Sequence, residues 1–406
     1  MKTKLLFLLI TICCLSCKQG TKKQTSSTED TLSATIDSTL LTAVKQYKFL
    51  AKQIDSGQYP KTYHAKEDRL ETSNSGWWCS GFYPGTLLYL DEAVNAPDLK
   101  QEAQRVLEDL KKEQSNTSTH DLGFMMYCSF GNANRLEKNP EYEKILLNSA
   151  KSLSTRYNDT VKAIRSWDSA PWNKAGDDDL VVIIDNMMNL ELLFWATKFS
   201  GDSTYYDIAV NHANTTIKNH FRSDYSSYHE VIYKEENGEA RAKITNQGTA
   251  DESAWARGQA WGLYGYTATY RETKDKKYLE QAQHIADFLI NHPNMPKDYI
   301  PYWDFNAPGI PDALRDSSAA SIIASALLEL SSYSEGDKKE NYQTIAKTIL
   351  EKLLSDEYLP KVGENGGFIL KHGVGNMPNK TEVDTPLSYG DYYLVEAMIR
   401  YKEMNQ

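Results

Sequence analysis

Apolar residues recur at intervals of three and four along most of the chain, which is the pattern of amphipathic helices. Twelve stretches show it, near residues 32–54, 81–94, 98–114, 120–135, 140–156, 185–199, 203–220, 254–272, 275–291, 317–334, 338–354 and 388–403. Alternating apolar and polar residues, the pattern of a half-buried strand, are confined to short stretches such as 228–233. The chain is therefore predicted to be all-α.

The connections between these helices alternate in length. The segments after the second, fourth, sixth, eighth and tenth helices are a few residues long, whereas those before the even-numbered helices mostly run to twenty residues or more, with 115–119 as the exception. Short connections make helical hairpins, so all the long loops emerge at one end. This predicts an (α/α)6 toroid with the even-numbered helices inside. A linear solenoid of helical hairpins is the alternative.

Polar and aromatic residues gather where the even-numbered helices begin. These starts read WWCSGFYPG (77–85), HDLGF (120–124), IIDNMMN (183–189), WARGQAW (255–261), RDSSAAS (315–321) and LSYGDYY (387–393). Six helix N-termini facing one cavity would present partial positive charge and free N–H groups. Such a cavity favours an anionic ligand.

One aspartate, Asp185, interrupts the apolar run 180–196 (LVVIIDNMMNLELLFWA). It either caps the helix that begins at the next residue, or it lies in a core, where an unpaired carboxylate is costly and stays protonated. Asp121 has two similar interpretations, an ordinary N-cap or a second carboxylate facing the same cavity. Paired carboxylates in different environments are the usual groups of glycosidic chemistry.

The segment 255–261 places an arginine between two tryptophans. Trp255 and Trp261 can offer stacking faces, while Arg257 and Gln259 can reach a carboxylate or hydroxyl groups. The long loop before this segment adds Thr245, Asn246, Gln247 and His229, the last of which is either structural or a ligand contact.

Three aspartates at 177–179 resemble a cation site, but they are interpreted as a solvated turn because no second oxygen cluster accompanies them.

Composition narrows the class of ligand. A net charge of −10 argues against nucleic acid as a partner. The 26 tyrosines and 8 tryptophans suggest faces that stack on sugar rings. Cys79 and Cys128 lie in apolar and aromatic surroundings without a CxxC pair, so they are expected to be buried free thiols.

The N-terminus is expected to be a targeting segment. Lys2 and Lys4 precede an apolar stretch, 5–15, which is too short to span a bilayer comfortably, and Ser16 precedes Cys17. This resembles a bacterial lipoprotein signal, in which Cys17 becomes the lipidated N-terminus of an exported, membrane-anchored protein; a plain secretory signal is the alternative. The resulting division is a signal over 1–16, a lipidated cysteine and flexible tether over 17–34, and a single (α/α)6 domain over 35–406.

Several motifs in order resemble family 88 of the glycoside hydrolases, the unsaturated glucuronyl hydrolases. They are HDLGFMMYCSFGNA, IIDNMMNLELLFWA, WARGQAWGLYGY, YWDFNAP followed by RDSSAASIIASALLEL, and LSYGDYYLVEA, and the resemblance covers residues 35–403. It implies an (α/α)6 barrel with no metal or organic cofactor. It implies as substrates the oligosaccharides that polysaccharide lyases release, which carry a 4,5-unsaturated uronic acid at the non-reducing end.

The resemblance also implies roles for individual residues. Asp185 would be the acid and base that protonates carbon 4 and activates the water that adds at carbon 5. Asp121 would orient the ring hydroxyls and keep Asp185 protonated by like-charge repulsion. Residues expected to contact the uronate and its hydroxyls are His229, Thr245, Gln247, Arg257 and Trp261; further candidates are Trp78 and Trp172 as stacking platforms, and Ser388 and Tyr389 near the carboxylate or the next sugar.

Two other functions remain open. An unsaturated rhamnogalacturonyl hydrolase would share the barrel and the aspartates. A non-catalytic sugar-binding lipoprotein would explain the anchor and the aromatic residues, but it has no need of two carboxylates at adjacent helix starts. The loops 157–180 and 355–386 would contact the leaving sugar and cannot be matched motif by motif, so the polysaccharide, of ulvan or glycosaminoglycan type, stays open.

Overall fold

The computed structural model describes residues 26–170 and 173–405. Within them lie twelve α-helices: α1 (Ser26–Ala51), α2 (Phe82–Val94), α3 (Pro97–Leu110), α4 (Asn132–Leu136), α5 (Pro140–Ser154), α6 (Leu190–Ser200), α7 (Ser203–His220), α8 (Ala256–Thr273), α9 (Lys276–Asn291), α10 (Ser317–Ser332), α11 (Gly336–Leu353) and α12 (Ser388–Met404). Each predicted helix is present. Two inner helices begin irregularly, because a π-helix (Gly123–Gly131) runs into α4 and a 3-10 helix (Ile184–Asn189) runs into α6.

The even-numbered helices form a closed inner ring. In the order α2, π-helix with α4, α6, α8, α10 and α12, each packs against the next, and α12 returns to α2. At that closure the rings of Phe82 and Tyr392 lie 5.3 Å apart, and the Tyr89 hydroxyl donates to Glu396 at 3.0 Å. A linear solenoid has no contact between its first and last repeats. The toroid is therefore confirmed, and the solenoid alternative is wrong.

Burial separates the two rings of helices. In the outer helix α3 the buried residues are Leu99, Ala103, Val106, Leu107 and Leu110, a spacing of three and four that marks one face. In the inner helix α10 nearly every residue is buried, as expected of a helix enclosed by others.

Capping residues close the short connections between helices. The side chains of Asn139, Asp202 and Asp275 accept the N–H two residues further on, at the starts of α5, α7 and α9. Helix α6 ends at Gly201, whose φ of 77° is left-handed and suits glycine. These tight turns leave the long connections at the other end of the barrel.

The long connections contain short antiparallel strands, most of which the apolar pattern missed. They are β1 (Tyr59–His64), β2 (Arg69–Ser73), β3 (Tyr157–Asn158), β4 (Ala163–Ile164), β5 (Asp179–Ile183), β6 (Glu230–Lys234), β7 (Ala240–Ile244), β8 (Gly373–Asn376) and β9 (Thr381–Thr385). They pair as β1–β2, β3–β4, β5–β6–β7 and β8–β9. Only β6 overlaps the predicted strand. Strands of two to six residues are too short for a period of two to be a reliable signal, and they rest on the barrel for support.

The first helix begins at Ser26, earlier than predicted. The prediction of a flexible tether is therefore wrong for residues 26–34, since this part is helical and Leu32 is buried. The rest of the tether, the signal over 1–16 and Cys17 lie outside the described residues. Among the helices that are described, none has the length and apolar character needed to cross a membrane.

Candidate active site

The register of β5 and β6 places Asp185 beside His229. Ile183 pairs with Glu230, and the next residue, Ile184, donates its N–H to the carbonyl of His229 at 2.9 Å. As a result Nε2 of His229 lies 3.7 Å from Oδ2 of Asp185. A three-stranded sheet thus delivers a histidine to the predicted acid.

His229 is held as a neutral ring that points an N–H toward Asp185. Its Nδ1 accepts the backbone N–H of Asn246 at 3.0 Å, so the ring proton is on Nε2. Burial lowers the pKa of His229 to about 3, and the Arg257 charge acts in the same direction. At neutral pH this histidine is therefore a hydrogen-bond donor and not a cation.

Asp185 does not cap a helix. It lies inside the 3-10 helix, where neither Ile183 at the start of that helix nor Asn189 at the start of α6 makes a side-chain cap, and its own Oδ2 is buried without a hydrogen-bond partner among the described residues. Burial raises its pKa to about 7, the nearby charge of Asp121 adds to the rise, and Arg257 and Trp261 oppose it. The interpretation as a cap is wrong, and the interpretation as a protonated acid agrees with this geometry.

Asp121 is also not an ordinary N-cap. The N–H of Phe124, which such a cap would bind, instead donates to Oδ1 of Asn189 at 3.0 Å. Asp121 accepts the Thr119 hydroxyl at 3.0 Å, and Nε2 of His120 lies 3.3 Å from its Oδ1. Burial raises the pKa of Asp121 to about 7, against the effects of Thr119, Arg156 and Asn189.

A close backbone contact fixes the spacing of the two aspartates. A Cβ at Gly123 would lie 2.4 Å from Cα of Asn189, so only glycine lets the π-helix approach the 3-10 helix this closely. The two carboxyls consequently belong to neighbouring inner-ring elements in direct contact, as the toroid predicted. The charge of Asp121 therefore raises the cost of ionising Asp185.

Arg257 is a clamp on the β8–β9 hairpin. Its Nη1 donates to the Val374 carbonyl at 2.5 Å, and its Nη2 donates to the Gly375 carbonyl at 2.6 Å and to Gln247 Oε1 at 2.8 Å. Asp316 completes the set at 3.5 Å. The terminal nitrogens of Arg257 are thus bound within the protein, and Nε, which is buried without a hydrogen-bond partner among the described residues, is the nitrogen it still offers to a ligand.

The side chains of Trp261 and Gln259 also make other contacts than the sequence predicted. Trp261 is 0 % exposed, so it offers no stacking face; its buried indole N–H lowers the pKa of Asp185, but it makes no full hydrogen bond among the described residues. The amide oxygen of Gln259 accepts the Ser227 N–H, and its amide nitrogen donates to the Ser227 hydroxyl and to the Trp255 carbonyl. Gln259 therefore shapes the loop before β6. The helical segment 255–261 contributes N–H groups to the site instead of aromatic faces.

The remaining predicted contacts differ in how the structure uses their side chains. Thr245 uses its hydroxyl within its own loop, accepting the Gly248 N–H at 2.7 Å, whereas Gln247 is bound to Arg257 through its oxygen only. The Ser388 hydroxyl is buried and has no hydrogen-bond partner within residues 26–170 and 173–405. Trp78 and Tyr389 lie together, with ring centroids 4.9 Å apart. Trp172 lies outside the described residues.

Three residues of the site were missed by sequence reasoning. Asn189 joins the two aspartate-bearing elements, Asp316 accepts the Val374 N–H at 3.3 Å and so anchors the same hairpin as Arg257, and Trp167 contacts His229 edge-on at 5.8 Å. Asp316 had a signal, because aspartate before Ser-Ser is a helix start, and it does cap α10. Nothing in the local sequence marked the other two.

The aspartates at 177–179 are only partly the solvated turn that was predicted. Asp177 and Asp178 are exposed, but Asp179 is 3 % exposed and pairs with Arg241 at 2.6 Å and Lys234 at 3.0 Å. Within the described ranges, no three His, Cys, Asp or Glu side chains converge as a metal site would require. Cys79 and Cys128 are free thiols, the first buried and the second partly so.

Together these groups make an acid next to several unused donors. Asp185 is 8 % exposed, so it is reached from the cleft while its pKa stays near neutrality. Among the described residues, buried polar atoms without a full hydrogen bond lie next to Asp185 on His229, Arg257 and Trp261, and others lie on His120 beside Asp121 and on Ser388. Such unsatisfied groups are rare in folded proteins and are available to a ligand rich in oxygen atoms. The arrangement can protonate a bound molecule and bind its hydroxyl or carboxylate oxygens.

Comparison with known proteins agrees with this chemistry. The family model described as Glycosyl Hydrolase Family 88 matches residues 50–406. The chain is 46 % identical to an unsaturated glucuronyl hydrolase of Formosa agariphila, over 88 % of each protein. It is 32 % identical to an unsaturated chondroitin disaccharide hydrolase of Streptococcus pyogenes serotype M1, over 84 % of this chain and 85 % of the other. A crystal structure of an unsaturated glucuronyl hydrolase specific for heparin matches with a TM-score of 0.87 and 47 % identity, over 92 % of this chain and 98 % of that one.

Proposed function

We propose, since the chain belongs to glycosyl hydrolase family 88, that it removes the 4,5-unsaturated uronic acid from the non-reducing end of oligosaccharides made by polysaccharide lyases. It is thus a glycosidase. The observation that carries the proposal is Asp185, a nearly buried carboxyl whose pKa of about 7 keeps a proton available next to an N–H donor. Simple displacement at the anomeric carbon needs a permanently ionised partner, whereas hydration of a double bond needs a single group that gives and then takes a proton.

The proposed reaction begins with a proton transfer from Asp185 to carbon 4 of the unsaturated ring. The cation that forms at carbon 5 is stabilised by the ring oxygen, and the ionised Asp185 takes a proton from the water that adds there. The resulting hemiketal opens to a ketone at carbon 5, and the hemiacetal left at carbon 1 releases the shortened sugar as an alcohol. One water is consumed, and Asp185 ends protonated as it began.

The neighbours of Asp185 support this cycle through their charges. Asp121 raises the pKa of Asp185 and so favours the protonated form before the reaction. After the proton has left, the N–H of His229 and the positive charge of Arg257 stabilise the carboxylate.

Unused donors support recognition of the substrate. The Nε of Arg257, the indole N–H of Trp261 and the Ser388 hydroxyl are buried and make no full hydrogen bond within the part of the chain that the structure describes. They suit the carboxylate and hydroxyls of a uronic acid, because a buried donor without a hydrogen bond costs free energy and a bound sugar oxygen would accept that bond. Trp78 is the remaining candidate for stacking on a sugar, since it is only half-buried.

The direct test is the ultraviolet absorbance of the uronate double bond. Purified protein is mixed with lyase digests of a glycosaminoglycan, of ulvan and of pectin, and the absorbance is followed with time. Decay with at least one digest is expected, because hydration removes the conjugated double bond. Lack of decay with all three would overturn the proposal and leave sugar binding without catalysis.

Glycosaminoglycan or ulvan fragments are the proposed substrate class. Relatives in this comparison include chondroitin disaccharide hydrolases and a glucuronyl hydrolase specific for heparin, and a Streptococcus agalactiae relative was crystallised as a mutant complexed with dGlcA-GalNAc6S. Faster decay with the pectin digest than with the other two would favour the rhamnogalacturonyl alternative.

We also propose that the protein is exported and anchored through Cys17. The support is the sequence before it, in which two lysines, a short apolar stretch and Ser16 precede the cysteine. Cys17→Ser is expected to move the protein from the membrane fraction to the soluble fraction of its host. An unchanged distribution would contradict lipidation.

A further inference from the structure

Trp77 is an exposed tryptophan beside the candidate active site. Its side chain is 41 % exposed, whereas the adjacent Trp78 is half-buried against Tyr389 and Phe124, with ring centroids 4.9 Å and 5.5 Å away. The two adjacent tryptophans therefore differ in environment: the Trp78 ring packs into the cleft wall, whereas the Trp77 ring is exposed to solvent. An exposed large aromatic residue next to a binding cleft is a candidate contact surface.

A continuous set of contacts connects Trp77 with the centre of the site. Nζ of Lys61 lies 5.0 Å from the centre of the Trp77 ring and 3.8 Å from Oε1 of Glu382. The Glu382 carboxylate rests on Gly375, where an added Cβ would be 2.7 Å from Oε2. The Gly375 carbonyl in turn accepts from Arg257 at 2.6 Å. Trp77 is therefore separated from the Arg257 clamp by only two side chains and the hairpin, which places it at the rim of the cleft.

The indole at this rim is held in place by a fixed charge. Lys61 is mostly buried on β1, with 17 % of its side chain exposed, and its ammonium is bound to Glu71 at 2.8 Å. A cation over the ring attracts it and limits its motion. Holding an aromatic ring still before binding reduces the entropy lost when a ligand stacks on it. The exposed part of the indole is thus a prearranged apolar surface.

We propose that Trp77, held by Lys61, is an outer platform for a sugar ring of the leaving oligosaccharide, beyond the sugar that is joined to the unsaturated uronate. The C–H groups of a pyranose ring pack on the indole as other apolar groups do. Only substrates longer than a disaccharide reach the platform. This inference rests on the proposed function.

The test compares Trp77→Ala with the wild type on two substrates, the unsaturated disaccharide and tetrasaccharide from the lyase digest that the wild type hydrolyses fastest. The absorbance assay gives kcat/KM for each. We expect the variant to lose between about threefold and tenfold in kcat/KM on the tetrasaccharide, mainly through KM, and to keep its rate on the disaccharide. Trp77→Phe, which keeps an aromatic face, is expected to restore most of the loss.

Phe199→Ala is the matched control. Phe199 is 45 % exposed and stacks on Trp195 at 4.9 Å, but it lies at the C-terminal end of α6, the end of the barrel away from the site. It should change neither rate. Equal losses on both substrates, or none on the tetrasaccharide, would overturn the platform while the proposed function stands. Failure of the wild type to turn over fragments from any of the three digests would instead count against the proposed function.

Discussion

Replacing Asp185 with asparagine should abolish turnover and stabilise the fold at the same time. The asparagine has nearly the same shape but can neither give nor take a proton. General acid and base catalysis each contribute about a hundredfold to ten-thousandfold, and this one group serves in both steps. We therefore expect kcat to fall by at least about a thousandfold, with KM changed by no more than about threefold, because the contacts to the bound sugar remain.

The gain in stability follows from the pKa of Asp185. Its value rises from 3.8 to about 7 in the folded protein, mainly through burial. Because the pKa of this carboxyl is higher in the folded protein than in the unfolded chain, its contribution to the free energy of unfolding is greatest below the unfolded pKa and is lost as pH rises through the folded pKa. Three units correspond to about 4 kcal/mol at 1.36 kcal/mol per unit. The free energy of unfolding of the variant should therefore exceed that of the wild type by little at pH 4 and by about 4 kcal/mol above pH 7.

Two assays check this reasoning. Absorbance decay measures turnover, and urea unfolding at several pH values between 4 and 8 measures stability. In the wild type, kcat/KM should fall as pH rises above about 7, because the ionised acid cannot protonate carbon 4.

Asp391→Asn is the matched control. Asp391 is also buried on an inner helix with a pKa of about 7, but its oxygens accept the backbone N–H groups of Ile369 and Leu370 and the hydroxyl of Tyr47. Turnover per folded molecule should survive in that variant. Near-normal turnover in Asp185→Asn, or an equal loss in Asp391→Asn, would refute the assignment of the acid.

Three further predictions concern the surroundings of the site. Gly123→Ala should destabilise the fold by about 1–3 kcal/mol in urea unfolding, because its Cβ would lie 2.4 Å from Cα of Asn189, whereas Gly262→Ala, with 3.5 Å to its nearest neighbour, should be tolerated. Arg257→Lys keeps the charge but loses the paired N–H groups on the Val374 and Gly375 carbonyls, so kcat/KM should fall about tenfold or more and a protease should cut the 373–385 hairpin faster; unchanged values for both would contradict the clamp. Burial lowers the pKa of His212 from 6.5 to about 3, so the folded protein keeps this ring neutral and the free energy of unfolding decreases as pH falls below 6.5. In His212→Gln this decrease should be shallower by about 1.4 kcal/mol per pH unit between pH 6 and 4. An identical slope in the two proteins would exclude this role of His212.

The sequence by itself determined the architecture of this protein. Helices can be predicted from the chain because apolar spacing is a local property, and the alternation of short and long connections decides on which side the long loops lie. The inner-ring starts, with Asp121 and Asp185 on adjacent members, followed from that arrangement alone. The motifs then identified the family, and the comparisons confirmed it.

Only the tertiary structure decided how the side chains of the site are used. Arg257 and Gln259 were predicted to reach the substrate, but the terminal nitrogens of Arg257 bind a hairpin and Gln259 binds a loop, both of which lie far away in sequence. The capping interpretation of Asp185 failed because the strand before it continues into a 3-10 helix whose N–H groups are not offered to its side chain. The pairing of His229 with Asp185 depends on the register of β5 and β6, across 44 positions of the chain, and a period-two pattern in strands of five residues is too short to specify it. Spacing along a chain shows which residues share a helix start, whereas hydrogen bonds between distant loops decide which of their atoms are left for a substrate.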